Sequence, residues 1–220
     1  MFSAYPNLAL MLLLLAGSVF SSQATEISVS IRDNEGNPLT NIVALLHSNK
    51  PQQQLPPPKI QAIMDQNNRE FIPHTLVVQK GSQVSFPNSD NVQHHVYSFS
   101  PAKTFELKLY SELAVEPLLF ESSGVVELGC NVHDWMLGYI YVADTPYFAQ
   151  SDNQGIASIT VPAGEYTLSL WHPRLSNNDT TRNVNIRVNQ EKIMVNLDLR
   201  ESLLPSLVEY DAVEGFNNYD

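Results

Sequence analysis

The chain has 220 residues, of which 43% are hydrophobic, so it can bury a sizeable core in one large domain or two small ones. Its 23 Asp and Glu against 12 Lys and Arg give a formal net charge of −11, which argues against binding to nucleic-acid phosphates. The single cysteine excludes an internal disulfide, and 9 Gly with 14 Pro exclude a collagen-like chain.

An apolar run near the N-terminus predicts a secretory signal. Residues 8–20 carry no charge, and the small residues Ser22 and Ala24 follow at the positions that signal peptidase reads. The run is shorter than the ~17–25 residues that a membrane-spanning helix needs. It departs from the usual signal pattern because no Lys or Arg precedes it. We expect residues 1–24 to be a signal peptide and the mature protein to be soluble and periplasmic.

The remaining chain alternates β-rich segments with turn clusters. Apolar residues alternate over 27–31, a turn follows at 33–38, and residues 42–46 predict a second strand. The proline-rich residues 51–58 predict a boundary that runs over the surface. No long amphipathic helix interrupts the pattern, so the chain is predicted to be all-β. Further strands are predicted at 75–78, 83–86, 96–99, 125–128, 139–142, 157–161, 166–171, 183–188 and 193–199.

One short loop combines three soft metal-ligand types. Cys130, His133 and Met136 follow each other at three-residue intervals and offer a thiol, an imidazole and a thioether. A type 1 copper site takes one thiolate, two imidazoles and a weak axial thioether. The second imidazole must come from a neighbouring strand, and His94 and His95 lead directly into segment 96–99. Taken alone, the cysteine could be a small buried apolar side chain or half of an intermolecular disulfide, and Met136 could be core filler.

Two stretches resemble the cupredoxin, or blue copper, family, most closely its amicyanin and plastocyanin branch. Residues 71–88 (FIPHTLVVQKGSQVSFPN) are similar to the family's opening pattern F-x-P-x-x-L-x-V-x-x-G-x-x-V-x-F/W-x-N. Residues 124–142 (GVVELGCNVHDWMLGYIYV) resemble its closing pattern, in which Cys-x-x-His-x-x-Met is the short ligand loop of amicyanin. The resemblance covers roughly residues 60 to 143.

The resemblance implies four copper ligands, His94, Cys130, His133 and Met136. Counting from Asn88 places the first histidine ligand at His94, and a slip of one residue would move it to His95. The family usually has Asn where this chain has His95. Asp134 is a second departure, because it places an anion beside the solvent-facing imidazole, where many relatives have an apolar docking patch.

The flanking segments resemble a second family, the carboxypeptidase regulatory-like or transthyretin-like sandwich. The resemblance lies in ISVSIRDNEGNPLTNIVALLH and QSDNQGIASITVPAGEYTLSL. Neither segment alone has enough strands to bury two faces. We therefore predict an all-β fold in which a cupredoxin Greek-key β-sandwich is inserted in, or packed beside, a second small Ig/transthyretin-like β-sandwich. The alternative is one cupredoxin with extra flanking strands.

The predicted parts are the signal peptide 1–24, the discontinuous sandwich 25–50 plus 146–200, the cupredoxin domain 55–145 and a mobile acidic tail 201–220.

The resemblance implies a monomeric periplasmic protein of the methylamine utilization type, which carries single electrons on one type 1 copper ion. Its expected partner is a c-type cytochrome or a periplasmic oxidoreductase. An electron carrier of this kind is expected to have no enzyme activity. A hydrolytic enzyme is also disfavoured, because no Ser/His/Asp grouping and no open carboxylate-rich metal site emerges. Two alternatives stay open: copper binding and delivery without redox turnover, and a carbohydrate- or protein-binding sandwich with a structural metal site. His47 and His74 are interpreted as surface residues, and His172 as structural.

Overall fold

A computed structural model describes residues 24–50, 56, 58, 61–111, 116–176, 183–189, 193–199 and 203. The described residues form β-strands and contain no helix, which confirms the all-β prediction, and none of their segments is a helix able to cross a membrane. The predicted signal peptide and acidic tail lie outside the described residues, apart from Ala24 and Leu203. The strands are β1 (Ala24–Arg32), β2 (Val43–Ser48), β3 (Ala62–Ile63), β4 (Asp65–Asn67), β5 (Glu70–Ile72), β6 (Thr75–Gln79), β7 (Ser82–Ser85), β8 (His94–Ser100), β9 (Lys103–Tyr110), β10 (Leu118–Phe120), β11 (Gly124–Cys130), β12 (Leu137–Ala143), β13 (Phe148–Gln150), β14 (Ile156–Pro162), β15 (Gly164–Trp171), β16 (Asn183–Val188) and β17 (Ile193–Asp198).

The predicted ligands belong to a sandwich built from the middle of the chain. Its larger sheet has the strand order β6-β12-β11-β8-β9, and its smaller sheet has the order β10-β7-β3. Alternate residues of each strand point inward, as the two-residue period of a strand requires. Val96, Val126 and Ile140 of the larger sheet therefore share one core with Val84 of the smaller sheet and with Phe71 of β5. We call this unit the site sandwich.

The flanking segments build a second pair of sheets around a separate core. The sheets have the strand orders β14-β1-β17 and β13-β2-β15-β16. Strand β1 lies in the centre of the first sheet, antiparallel to β14 and parallel to β17, and its Ile27, Val29 and Ile31 are completely buried in this core. Strands β1 and β2 follow each other along the chain but join different sheets. We call this unit the flanking sandwich.

The two sandwiches contact each other through sheet faces that point away from their own cores. Val43 and Leu45 of β2 form a third apolar cluster with Ala143, and Tyr141 and Trp171 pack against it. The ring centroids of Tyr141 and Trp171 are 4.9 Å apart. One edge of the five-stranded sheet is therefore covered on both faces. The outward face of β8, by contrast, is open to solvent, since Phe99 is 80% exposed.

His172 lies next to Trp171, and its surroundings favour the neutral imidazole. Burial lowers the pKa of half-buried His172 from 6.5 to about 4, and the nearby Arg174 and His74 act in the same direction. Its Nδ1 accepts a hydrogen bond from the backbone N–H of Arg174, at 3.2 Å. The unfolded chain therefore binds more protons at this residue than the folded chain does between these two pKa values.

We expect His172 to make the fold less stable in acid. The stability that its neutral ring contributes is present above pH 6.5 and is lost as the pH falls toward about 4. In His172→Asn, an amide oxygen can replace the ring nitrogen as acceptor, and the amide does not titrate. The decrease in the free energy of unfolding between pH 7 and pH 4 should therefore be smaller by about 1–2 kcal/mol. Urea unfolding of both proteins across this range measures the difference. If the free energy of unfolding depended on pH in the same way in both proteins, His172 would not be the group responsible.

Candidate metal centre

Three of the four predicted ligands converge at one end of the site sandwich. His94 begins β8, Cys130 ends the neighbouring β11, and His133 lies in the loop between β11 and β12. Pairing of Cys130 with Val96 brings the two strand ends together. Cys130 Sγ lies 3.6 Å from His94 Nδ1 and 3.9 Å from His133 Nδ1. The three donor atoms all lie within 4.8 Å of one another.

The donor set fits copper. A thiol sulfur and two imidazole nitrogens face one another, with no carboxylate oxygen among them. His94 is completely buried and Cys130 is 3% exposed, whereas His133 is partly exposed. Thiolate and imidazole are ligands of copper and zinc, and the set of two histidines and one cysteine is that of a type 1 copper site. Within the described ranges, no other group of three His, Cys, Asp or Glu side chains meets the same distance limit.

Met136 belongs to the same loop and is 2% exposed. Its backbone N–H donates to the carbonyl oxygen of His133 at 3.0 Å, so the loop closes on itself between these two residues. Met136 and Cys130 also line one cavity of about 510 Å³, together with Asp134 and Leu137. The axial role of Met136 stays a prediction.

The structure brings His94, and not its neighbour His95, into the cluster. Adjacent residues of a strand point to opposite faces, and His95 points away from Cys130. Its Nε2 lies 2.8 Å from Glu106 Oε1 on the exposed side of the sheet. The two ligand loops are nevertheless joined at His95, since its carbonyl oxygen accepts the backbone N–H of Asn131 at 3.1 Å. A main-chain hydrogen bond thus ties the loops together at His95.

Sequence reasoning missed a carboxylate behind His94. Asp90 Oδ2 lies 3.1 Å from His94 Nε2, and the Asp90 side chain is only 11% exposed. The same oxygen accepts the backbone N–H of Arg69 at 2.7 Å, and this bond is the main reason why the pKa of Asp90 is lowered. The signal was available in the sequence, as an acidic residue shortly before a candidate ligand, but it did not single out Asp90 among the acidic residues.

The partly exposed edge of the site carries both apolar and acidic residues. Trp135 is 68% exposed, and its ring centroid is 5.5 Å from that of His133. Val132 is 48% exposed, and Asp134, between His133 and Trp135 in the chain, is also exposed. The partly exposed imidazole of His133 is therefore surrounded by an apolar surface that also carries a negative charge.

The remaining histidines lie outside the cluster. His47 Nδ1 is 3.3 Å from Asp144 Oδ1, an acidic neighbour that the sequence did not indicate. The exposed His74 packs edge-on against Tyr139, with 5.6 Å between the ring centroids. His172 follows Trp171 in the chain and is not part of the group formed by His94, Cys130 and His133.

Comparison of the chain with models of known families gives no match, and comparison with curated proteins gives none. Several solved structures are similar. A novel purple cupredoxin from Nitrosopumilus maritimus is 24% identical, with a TM-score of 0.31, over 38% of this chain and 100% of that chain. A mutant of amicyanin in its reduced Cu(I) form is 20% identical, with a TM-score of 0.35, over 46% of this chain and 98% of that one.

A third similar structure is an enzyme. The Cu-containing nitrite reductase from Thermus scotoductus SA-01 is 19% identical, with a TM-score of 0.37, over 39% of this chain and 23% of that chain. All three likenesses cover less than half of the present chain and are low in identity. The interpretation of the site therefore rests on its own geometry.

Proposed function

We propose that this protein is a periplasmic type 1 copper protein that carries single electrons between redox partners and catalyses no reaction of its own. The observation that carries the proposal is the convergence of Cys130 Sγ with the Nδ1 atoms of His94 and His133 inside a β-sandwich. Copper bound by this donor set supplies one-electron redox chemistry. Met136, on the same loop, is proposed as the fourth residue that would hold the copper.

The chain's own contribution is to hold these donors in place in both oxidation states. His94 and Cys130 lie on adjacent strands, and the hydrogen bond from Asn131 to His95 joins the two loops. The side chains of Val96 and Leu128, each two residues from a ligand, are fully buried in the same core. Because a close-packed β core resists displacement, the donors rearrange little when an electron arrives or leaves.

The His133 edge is the proposed port for electrons, and a basic protein is the proposed partner. His133 is the most exposed of the three converging ligands, and Trp135 extends an aromatic surface from its ring. A net charge of −11 attracts cationic partners over long distances, with a strong dependence on ionic strength. A basic c-type cytochrome or oxidoreductase of the periplasm meets this requirement.

Electron transfer to a basic c-type cytochrome tests the proposal. The copper-loaded, ascorbate-reduced protein should reduce the cytochrome in a stopped-flow experiment, and the second-order rate constant should fall at least tenfold between low and physiological ionic strength. Cys130→Ala treated in the same way should be inactive.

The same experiment, repeated with a Cu(I) chelator present, separates electron transfer from copper delivery. An electron carrier keeps its copper through several cycles of reduction and oxidation. Transfer of the metal to the chelator on first reduction, with no reduction of the cytochrome, would contradict the proposal and favour a copper-delivery protein.

A further inference from the structure

Asp90 lies behind His94, on the side of the imidazole ring away from Cys130. The ring uses its two nitrogens on different partners, with Nδ1 3.6 Å from Cys130 Sγ and Nε2 3.1 Å from Asp90 Oδ2. His94 is completely buried, and the Asp90 side chain is 11% exposed. A buried imidazole thus bridges the thiol and a nearly buried carboxylate.

Asp90 is itself fixed by its surroundings. Its Oδ2 also accepts the backbone N–H of Arg69 at 2.7 Å, and its own N–H donates to Asn88 Oδ1 at 3.0 Å. Asn88 in turn donates through Nδ2 to the carbonyl oxygens of Val92 and Tyr110, at 2.8 and 3.0 Å. The carboxylate is therefore held at one position relative to the His94 ring.

The turn between β4 and β5 presents the amide that holds Asp90. Asn68 and Arg69 in this turn have φ values of 54° and 60°, in the left-handed region that residues other than glycine adopt at a cost. The two-residue hairpin turn requires this conformation at both of its central residues. Here it directs the Arg69 N–H at the carboxylate behind a candidate ligand.

We propose that Asp90 is a positioning residue that keeps the proton of His94 on Nε2, leaves the Nδ1 lone pair for the metal and strengthens His94 as a donor to oxidised copper. A carboxylate that accepts the second N–H of a ligating histidine fixes its tautomer and raises its basicity. The inference rests on the proposed copper site and adds to it a residue that tunes the affinity for the two oxidation states. Asp90 acts through His94 and does not touch the metal.

The tautomer of His94 in the metal-free protein tests the positioning role independently of copper. Nitrogen-15 NMR of the histidine rings should show His94 of the full chain with its proton on Nε2, and Asp90→Ala should populate both tautomers. Glu106→Ala is the matched control, because it removes the corresponding carboxylate from His95 and should leave the His94 signals unchanged. A proton on Nδ1 in the unsubstituted protein, or the same tautomer in Asp90→Ala, would overturn the proposal.

The reduction potential tests the tuning role. Asp90→Asn keeps the side chain's shape and an oxygen acceptor but removes the charge, so it preserves the fold if Asp90→Ala does not. Its affinity for Cu(II) relative to Cu(I) should fall about tenfold, which raises the potential of this one-electron couple by about 59 mV. Glu106→Gln should leave the potential unchanged.

The outcomes separate this inference from the proposed function. Copper bound to a thiolate gives a visible absorption band, the thiolate-to-copper band. If Asp90→Asn shows this band but its reduction potential is unchanged, the tuning role is overturned and the copper site stays intact. If the unsubstituted protein shows no such band, the proposed function fails, and the tautomer measurement still decides whether Asp90 positions His94.

Discussion

His94→Ala should abolish the visible thiolate-to-copper band, whereas His95→Ala should leave it in place. The reason is geometric, since His94 Nδ1 lies 3.6 Å from Cys130 Sγ while the Nε2 of His95 contacts Glu106 Oε1 on the other face of the sheet. Loss of a residue that only hydrogen-bonds to a metal ligand weakens binding by up to about 100-fold. Loss of the ligand itself should therefore weaken Cu(II) binding by more than that. Titration with Cu(II), followed by visible absorption, measures both effects.

His74→Ala is a suitable control for this pair, since His74 is exposed and lies outside the cluster. It should bind copper as the unsubstituted protein does. A band that survives in His94→Ala and disappears in His95→Ala would reverse the assignment, and the ligand strand would then be shifted by one residue from the register described above.

Phe86→Ala and Leu46→Ala should destabilise different parts of the molecule. Phe86 is fully buried in the core of the site sandwich, where its ring centroid is 5.4 Å from that of Phe105. Leu46 is fully buried in the core of the flanking sandwich. Truncation leaves a cavity in each core and should cost about 3–5 kcal/mol for Phe86 and about 2–5 kcal/mol for Leu46.

Calorimetry with and without Cu(II) distinguishes the two effects. A metal that binds the folded site sandwich raises the unfolding temperature of that unit. We expect Phe86→Ala to lower the temperature of the unfolding transition that copper raises. Leu46→Ala should lower the temperature of the other transition. A single transition, shifted equally by both substitutions and by copper, would show that the two sandwiches unfold as one cooperative unit and that 55–145 is not a separate domain.

Strands with a clear two-residue pattern were predicted well from sequence. The segment 75–78 corresponds to β6, 125–128 lies within β11, and 166–171 lies within β15. Strand β9 was missed, although its apolar Phe105, Leu107 and Leu109 alternate with polar residues as in a strand that has one face in solvent. Its charged residues are typical of an edge strand, where they discourage pairing with other chains.

Some features of the candidate site follow from local sequence spacing, and others depend on contacts between distant segments. The spacing of Cys130, His133 and Met136 is local, and the sequence alone indicates a metal-binding loop. The choice between His94 and His95 depends on strand register, where a shift of one residue moves every side chain to the other face. Asp90 was missed because its orientation depends on the amide of Arg69, which a separate hairpin brings to it.

The proposed function requires that Cys130 bind copper as a thiolate in a type 1 site. Visible absorption of the purified protein after addition of Cu(II), and again after ascorbate, tests it most directly when Cys130→Ala is measured in parallel. A type 1 site should give an intense thiolate-to-copper band that bleaches on reduction, returns on reoxidation and is absent from Cys130→Ala. A protein that stays colourless with Cu(II), and binds only Zn(II) or Cu(I), would contradict it.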